Sequence, residues 1–277
     1  CLPRALPPSA LASMGRLAAP RPSSAVALLV VSACGLRSLS PDGAVELGPL
    51  PPSPDGAAAD LMCCAGGPAY GGGPAYWDRR YAADPGPYDW MEDYRDVRHL
   101  VQEATGGNHD ARILHPGCGN SEVPEEMYDE GYRQIVNIDT SLVVIRQMLA
   151  RNHGRPGMRW LVMDASATRF QAGEFEVVLD KGVLDTFDCM DDPSLSVTSY
   201  LREVSRLLSP GGTFLCISHG EPESRLPLFE DPDIDLELRV VELAPLFVGA
   251  MLHYAYIGRK VPVVASVSSR AAAAAAR

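Results

Sequence analysis

From Arg112 onward the chain alternates between short apolar runs and amphipathic stretches. Arg112–His115 reads as a strand that leads into the turn Pro116-Gly117-Cys118-Gly119-Asn120. Ser121 is placed to cap a helix whose first turn holds Glu122, Glu125 and Glu126, where carboxylates meet the positive helix end. Pro124 falls where a missing N–H costs little, and Gly131 ends the helix. Ile135–Ile138 is a second strand, followed by helical spacing of Leu142, Val143, Ile145, Met148 and Leu149. Trp160–Met163 and Phe175–Leu179 are the third and fourth strands. The stretch Ser194–Leu208 sets Tyr200, Leu201, Val204 and Leu207 on one helical face, and Pro210-Gly211-Gly212 turns into the apolar run Thr213–Ser218. Two further β-like segments, Leu236–Leu243 and Met251–Ile257, close the pattern without a helix between them.

Strands that alternate with helices imply an α/β fold, because each parallel return needs a crossover. The prediction is a Rossmann-like, doubly wound, mostly parallel sheet of seven strands, the last two forming an antiparallel hairpin. Such sheets bind ligands at the carboxyl ends of their strands, so chemistry is expected just after strands.

Composition narrows the picture. Residues 1–75 hold 12 of the 24 prolines and 10 of the 25 glycines and carry no net charge. They show no sustained period and are read as a disordered or targeting extension, with no acid before Asp42. Residues 76–265 form the predicted folded domain, and 266–277, with its alanine run, a disordered tail. The formal net charge of −11 has the wrong sign for neutralising a phosphate backbone, so nucleic acid is excluded as an expected partner. The apolar run Ala25–Val31 is far short of the roughly 18 residues that cross a bilayer. The cysteines show no CxxC pair and the histidines are scattered, so no metal site is written here. Of the 24 basic residues only Lys181 and Lys260 are lysines, which singles both out.

The strand ends carry the candidate chemistry. Gly117 and Gly119 lie on a strand-to-helix turn, where a side chain would block approach of a ligand to the backbone. A nicotinamide-binding turn would want a third glycine where Glu122 stands. Asp139, ending the second strand, can accept from both hydroxyls of a ribose. After the third strand, Asp164 can accept from an exocyclic amino group and Met163 offers an apolar, polarizable surface to a ring. The fourth strand ends in Asp180-Lys181-Gly182, followed by Val183-Leu184-Asp185.

These residues resemble the class I S-adenosylmethionine-dependent methyltransferases. The chain is most similar to the branch that holds the lysine methyltransferases of translation elongation factor one alpha and of citrate synthase. The resemblance runs from Tyr76 to Lys260 and rests on Tyr76-Trp77-Asp78-Arg79-Arg80-Tyr81, Tyr88-Asp89-Trp90, the glycine turn, Asn137-Ile138-Asp139, the Asp180 to Asp185 stretch, Pro210-Gly211-Gly212, and the run from Ser218 to Pro227. It implies that Gly117, Cys118 and Gly119 pass under the methionine and ribose of S-adenosyl-L-methionine. Asp139 and Thr140 would hold the ribose, and Met163 and Asp164 the adenine. Trp77, Tyr81 and Trp90 would close over the cofactor, and Lys181 would lie beside it.

The activity expected from the resemblance is methyl transfer to a lysine of a protein, with elongation factor one alpha as the candidate partner. The expected enzyme is a monomer in the cytoplasm, with a mitochondrion or plastid as the alternative. Asp180 and Asp185 are the catalytic candidates, because a carboxylate can orient the substrate ammonium. Three departures from the family bear on the substrate: Val183 stands where threonine is common, His115 replaces a usually apolar strand residue, and the segment 231–249 is short. They keep open a small-molecule methyltransferase, or an inactive module that binds the cofactor.

Overall fold

The computed structural model describes residues 70–244 and 251–261. The expected extension up to residue 69 and the tail 266–277 lie outside the described residues. All described residues belong to one compact unit, Pro52–Arg277.

The elements in chain order are α1 (Gly73–Ala83), α2 (Tyr94–Thr105), β1 (Arg112–His115), α3 (Val123–Glu130), β2 (Gln134–Asp139), α4 (Leu142–Arg151), β3 (Met158–Val162), β4 (Phe175–Lys181), α5 (Val183–Asp188), α6 (Pro193–Leu207), β5 (Leu208–Ser218), α7 (Pro222–Arg225), a 3₁₀ turn (Leu226–Phe229), β6 (Leu236–Leu243) and β7 (His253–Lys260). The strands form one sheet in the order β3-β2-β1-β4-β5-β7-β6. The first five are parallel, and β7 runs antiparallel between β5 and β6, so the terminal hairpin forms as predicted. The order reverses between β1 and β4. This is the kind of switch point at which open α/β sheets hold ligands.

Both faces of the sheet are covered. One face packs Leu114, Val178, Phe214 and Cys216 against Tyr200, Leu201 and Val204 of α6. The other packs Ile113, Ile135, Val177, Leu179 and Leu215 against Val97, Leu100 and Val101 of α2 and Val123 and Met127 of α3. Alternate residues of β1, β4 and β5 therefore serve opposite layers, which is why these strands read as nearly continuous apolar runs.

Some boundaries differ from the sequence reading for identifiable reasons. Helix α1 begins at Gly73, ahead of Tyr76, and Tyr70 already packs its ring against Tyr76 and Trp77. Helix α3 begins after Glu122, and the Ser121 hydroxyl still accepts from the Val123 N–H at 3.1 Å while it donates to Asp89. Helix α4 follows the prediction, with the Ser141 hydroxyl accepting from the Val144 N–H at 3.2 Å.

Candidate cofactor and acceptor site

The carboxyl ends of β1, β2, β3 and β4 bring the glycine turn, Asp139, Met163 and Asp164, and the Asp180 to Asp185 stretch to one edge of the sheet. In the turn after β1, Gly117 and Gly119 both have φ of +51°, a left-handed conformation that L side chains rarely adopt. A Cβ on Gly117 would run into Val183 Cγ2, and one on Gly119 would lie 2.8 Å from the Tyr81 hydroxyl. The turn is pinned to β2, since the Cys118 N–H donates to the Ile138 carbonyl and the Gly119 N–H to Asp139 Oδ2, each at 3.0 Å. The Cys118 side chain is buried, and burial pushes its thiol pKa well up.

Asp139 is buried at the end of β2, and Ser141 donates its N–H to Oδ1 at 2.8 Å. Burial pushes the carboxyl up to about 6, although the N–H donors of Ser141 and Gly119 pull the other way. Each Asp139 oxygen accepts one of these backbone bonds, and a carboxylate oxygen has capacity for a second donor. Thr140 beside it is half-buried. After β3 the Met163 N–H donates to the Asp139 carbonyl at 2.9 Å, which holds the half-buried Met163 near Asp139. Asp164 is exposed and accepts from the N–H and hydroxyl of Ser166, closing its own turn.

The aromatic residues expected from the N-terminal region meet in one cluster. Trp77 and Tyr81 stack at 5.8 Å between centroids, and Trp90 meets Trp77 edge-on at 6.5 Å. The Arg80 guanidinium lies 5.0 Å from the Trp90 ring, within cation–π range. Helix α1 is fastened to α4 by Asp78, whose Oδ1 accepts from the Ser141 hydroxyl at 2.6 Å and the Val143 N–H at 3.2 Å. Gln147 donates to the Tyr81 carbonyl at 3.0 Å. Tyr81 itself is buried, and its hydroxyl pKa is pushed well up, first by burial and then by the charge of Asp139.

Lys181 takes a position that the sequence did not convey. Its Nζ lies 2.9 Å from Asp89 Oδ1 and donates to the Trp90 carbonyl at 2.8 Å. Asp89 also accepts from the Ser121 hydroxyl and the Glu122 N–H. The lysine therefore ties the end of β4 to the 84–93 loop and, through Asp89, to the glycine turn. Burial lowers the Lys181 pKa against the pull of Asp89. Burial also raises that of Asp89, but Lys181, Ser121 and Glu122 outweigh it and hold the carboxyl below its ordinary range.

The two catalytic candidates have different surroundings. Asp180 is fully buried and accepts from the N–H groups of Val183 (2.8 Å) and Leu184 (3.0 Å) and from the Tyr200 hydroxyl (2.8 Å). Its carboxyl is pushed up to about 7 by burial, and its donors are all structural groups of α5 and α6. Asp185, in the first turn of α5, uses Oδ1 to accept from Ser218 Oγ (2.7 Å) and Arg225 Nη2 (2.8 Å), with His219 Nδ1 at 3.2 Å. Its Oδ2 is buried and has no hydrogen-bond partner among the described residues. Geometry thus separates two carboxylates that were equivalent in sequence. Arg225, Asp89 and Asp78 were not singled out by residue type, because their partners lie 32 to 63 positions away, as for Ser121–Asp89, Arg225–Asp185 and Ser141–Asp78.

The turn, the acid at the end of β2 and the aromatic cap fit a nucleoside cofactor with a sulfonium group. The left-handed turn removes side chains where a ligand would meet backbone, and Asp139 keeps acceptor capacity toward a diol.

The comparisons with known proteins agree. Residues 114–216 match the family model described as "Methyltransferase domain". EEF1A lysine methyltransferase 4 of Mus musculus is 37% identical over 174 residues, which cover 59% of this chain and 68% of that protein. The Bos taurus protein of the same name is 38% identical over 160 residues, 54% of this chain and 62% of that protein. The eEF1A lysine and N-terminal methyltransferase of Danio rerio is 37% identical over 145 residues, 52% of this chain, and the chain spans only 21% of its length. Among solved structures, N-methyltransferase NodS from Bradyrhizobium japonicum WM9, in complex with S-adenosyl-L-homocysteine, superposes with a TM-score of 0.52. It is 14% identical, covering 66% of this chain and 98% of its own, which speaks for the fold alone. Sheet order, glycine turn and sequence similarity converge, and the chain belongs to the class I S-adenosylmethionine-dependent methyltransferases, in the same family as EEF1A lysine methyltransferase 4.

Proposed function

We propose that this methyltransferase acts on a lysine side chain of a protein, with elongation factor 1A as the substrate, and that it works as a monomer in the cytoplasm. The substrate follows the names of the relatives at 37 to 38% identity. The observation that carries the acceptor chemistry is the unused, buried Oδ2 of Asp185, in the turn of α5 that starts against Gly117 through Val183. No nucleic-acid or membrane partner enters this reading. No helix among the described residues is long and apolar enough to cross a membrane.

Gly117, Cys118 and Gly119 would line the methionine and ribose portion of S-adenosyl-L-methionine, Asp139 and Thr140 would hold the ribose hydroxyls, and Met163 and Asp164 would meet the adenine. Trp77, Tyr81 and Trp90 close over the site, and Lys181 keeps that cover in register by holding Asp89 and the Trp90 carbonyl. When bound, the cofactor supplies an electrophilic methyl carbon on a sulfonium whose departure leaves a neutral thioether. The protein's task is then to orient a nucleophile and shape the electrostatics. A lysine amine, with an ordinary pKa of about 10.4, arrives protonated and cannot attack until it loses that proton. Asp185 Oδ2 accepts a hydrogen bond from the amino group and aims its nitrogen. Desolvation at the site disfavours the ammonium and promotes proton loss to water. The amine's freed lone pair would be the nucleophile toward that methyl carbon, the C–S bonding pair leaving with the thioether sulfur. Asp180 caps α5 in this scheme and touches no reacting group.

The test is transfer of labelled methyl from S-adenosyl-L-methionine to recombinant, unmethylated elongation factor 1A, followed by mass-spectrometric location of the modified residue. Label on a lysine is expected. Binding of S-adenosyl-L-homocysteine with no transfer to any lysate protein would overturn the reading in favour of an inactive module. Label on a metabolite instead of a protein would replace it with a small-molecule methyltransferase.

A further inference from the structure

An arginine beside a carboxylate commonly takes it fork on fork, two N–H groups on two oxygens. Arg225 does otherwise. Its Nη2 donates to Asp185 Oδ1 at 2.8 Å, its Nη1 to Asp188 Oδ2 at 2.7 Å and its Nε to Ser218 Oγ at 3.2 Å. Ser218 Oγ donates to the same Asp185 Oδ1, and His219 Nδ1 lies 3.2 Å from it. Arg225, Ser218 and His219 thus converge on Asp185 Oδ1 and leave the buried Oδ2 unmatched among the described residues. A buried polar atom without a partner is costly, and in a native fold it calls for a reason.

The slot that holds Arg225 is built into the chain. A Cβ on Gly220 would collide with the guanidinium, so a larger residue there would displace the arginine from this slot. The Tyr256 hydroxyl donates to the Gly220 carbonyl at 2.6 Å and fixes that backbone against β7. The arginine itself comes from the end of the short helix α7 and is buried. Asp188, at the end of α5, draws Nη1 sideways while remaining 39% exposed.

We propose that Asp188 and Arg225 are positioning residues for the methyl acceptor. By holding the guanidinium off Asp185 Oδ2, they reserve that oxygen for the primary amino group of the substrate. This rests on the role given to Asp185 above. With the guanidinium forked onto Asp185, both oxygens would be spent and an incoming ammonium would meet a cation. With the guanidinium shared, two carboxylates face one arginine, and the cluster of these three groups carries one negative charge until the ammonium arrives.

The experiment compares Asp188→Asn, Asp188→Glu and Asp185→Asn in the full chain. It measures kcat and KM with recombinant elongation factor 1A, affinity for S-adenosyl-L-homocysteine, and binding of n-butylammonium chloride to the S-adenosyl-L-homocysteine complex by NMR titration. The expected result for Asp188→Asn is a kcat about tenfold lower, weaker n-butylammonium binding, unchanged cofactor affinity and unchanged melting temperature. Asp188→Glu, which keeps the carboxylate, restores most of both losses. Turnover and n-butylammonium binding within twofold of wild type in Asp188→Asn would overturn the proposal. So would losses that merely track a fall in melting temperature. The n-butylammonium arm decides the matter should elongation factor 1A not be the substrate. If Asp185→Asn keeps wild-type turnover and amine binding, the reading of Asp185 falls first; if it is inactive while Asp188→Asn is not, only this proposal falls.

Discussion

The Lys181 ammonium and the Asp89 carboxylate form a buried ion pair of 2.9 Å that joins the end of β4 to the loop carrying Trp90. Because Asp89 also accepts from Ser121 and Glu122, the pair locks the aromatic cover to the glycine turn. Breaking a buried pair from one side leaves an uncompensated charge, which costs about 3 kcal/mol or more. Lys181→Met is therefore expected to lose about 3 kcal/mol in urea unfolding and to weaken S-adenosyl-L-homocysteine binding as the Trp90 loop loosens. Wild-type stability with weakened binding would instead place the lysine at the cofactor alone.

The carboxyl of Asp139 is raised to about 6 by burial, so the proposed role in holding the ribose predicts a pH dependence of cofactor binding. Ribose hydroxyls held there would donate to the ionised carboxylate, so ligand binding would favour the deprotonated form. Affinity for S-adenosyl-L-homocysteine is expected to be flat above about pH 6 and to fall toward tenfold per pH unit below it. In Asp139→Asn binding should be weaker and independent of pH from 5 to 8. Calorimetric titration across that range checks both, and an unchanged pH profile in the variant would remove Asp139 from the site.

Much of this arrangement was legible in the sequence wherever chemistry follows local periodicity. Strands separated by helical crossovers fixed the parallel sheet, and the glycine turn and Asp139 fell at strand ends because that is where such sheets open. What stayed hidden depends on contacts between distant positions. Nothing in the residue order distinguishes Asp180, which accepts from Tyr200 and two backbone N–H groups, from Asp185, which meets Ser218 and Arg225. Ser121 reads as a helix cap and does accept from the Val123 N–H, but its second bond, to Asp89 32 positions earlier, is invisible in the residue order. Lys181 stood out because lysines are scarce, but only the fold shows that its charge is spent on the 84–93 loop.

That distinction between the two aspartates predicts different catalytic phenotypes. Asp180→Asn loses acceptor capacity toward three donors and leaves at least one unsatisfied, costing about 1–3 kcal/mol. The folded fraction should keep its kcat. Asp185→Asn weakens the buried pair with Arg225 and also lowers stability, but its folded fraction should bind cofactor within a small factor of wild type and lose turnover. Thermal melts alongside active-site-normalised rates separate the cases.

Gly117→Ala tests the turn itself. A side chain at φ +51° costs about 1–2 kcal/mol, and here its Cβ also strikes Val183. The expected outcome is a lower melting temperature together with loss of cofactor binding. The double variant Gly117→Ala/Val183→Ala should recover part of the stability by removing the collision, but not the strain of the left-handed backbone. Recovery of full stability in the double variant would show that the backbone conformation carries no strain.

The most direct measurement of the central claim pairs two readings on wild type and Asp185→Asn: labelled methyl transfer to recombinant elongation factor 1A, and S-adenosyl-L-homocysteine affinity by calorimetry. Wild type should bind in the micromolar range, about −8 kcal/mol, and label a lysine, while Asp185→Asn binds equally well and transfers at least tenfold more slowly. Equal transfer by both proteins would contradict the role of Asp185, and cofactor binding without transfer by wild type would contradict the lysine methyltransferase itself.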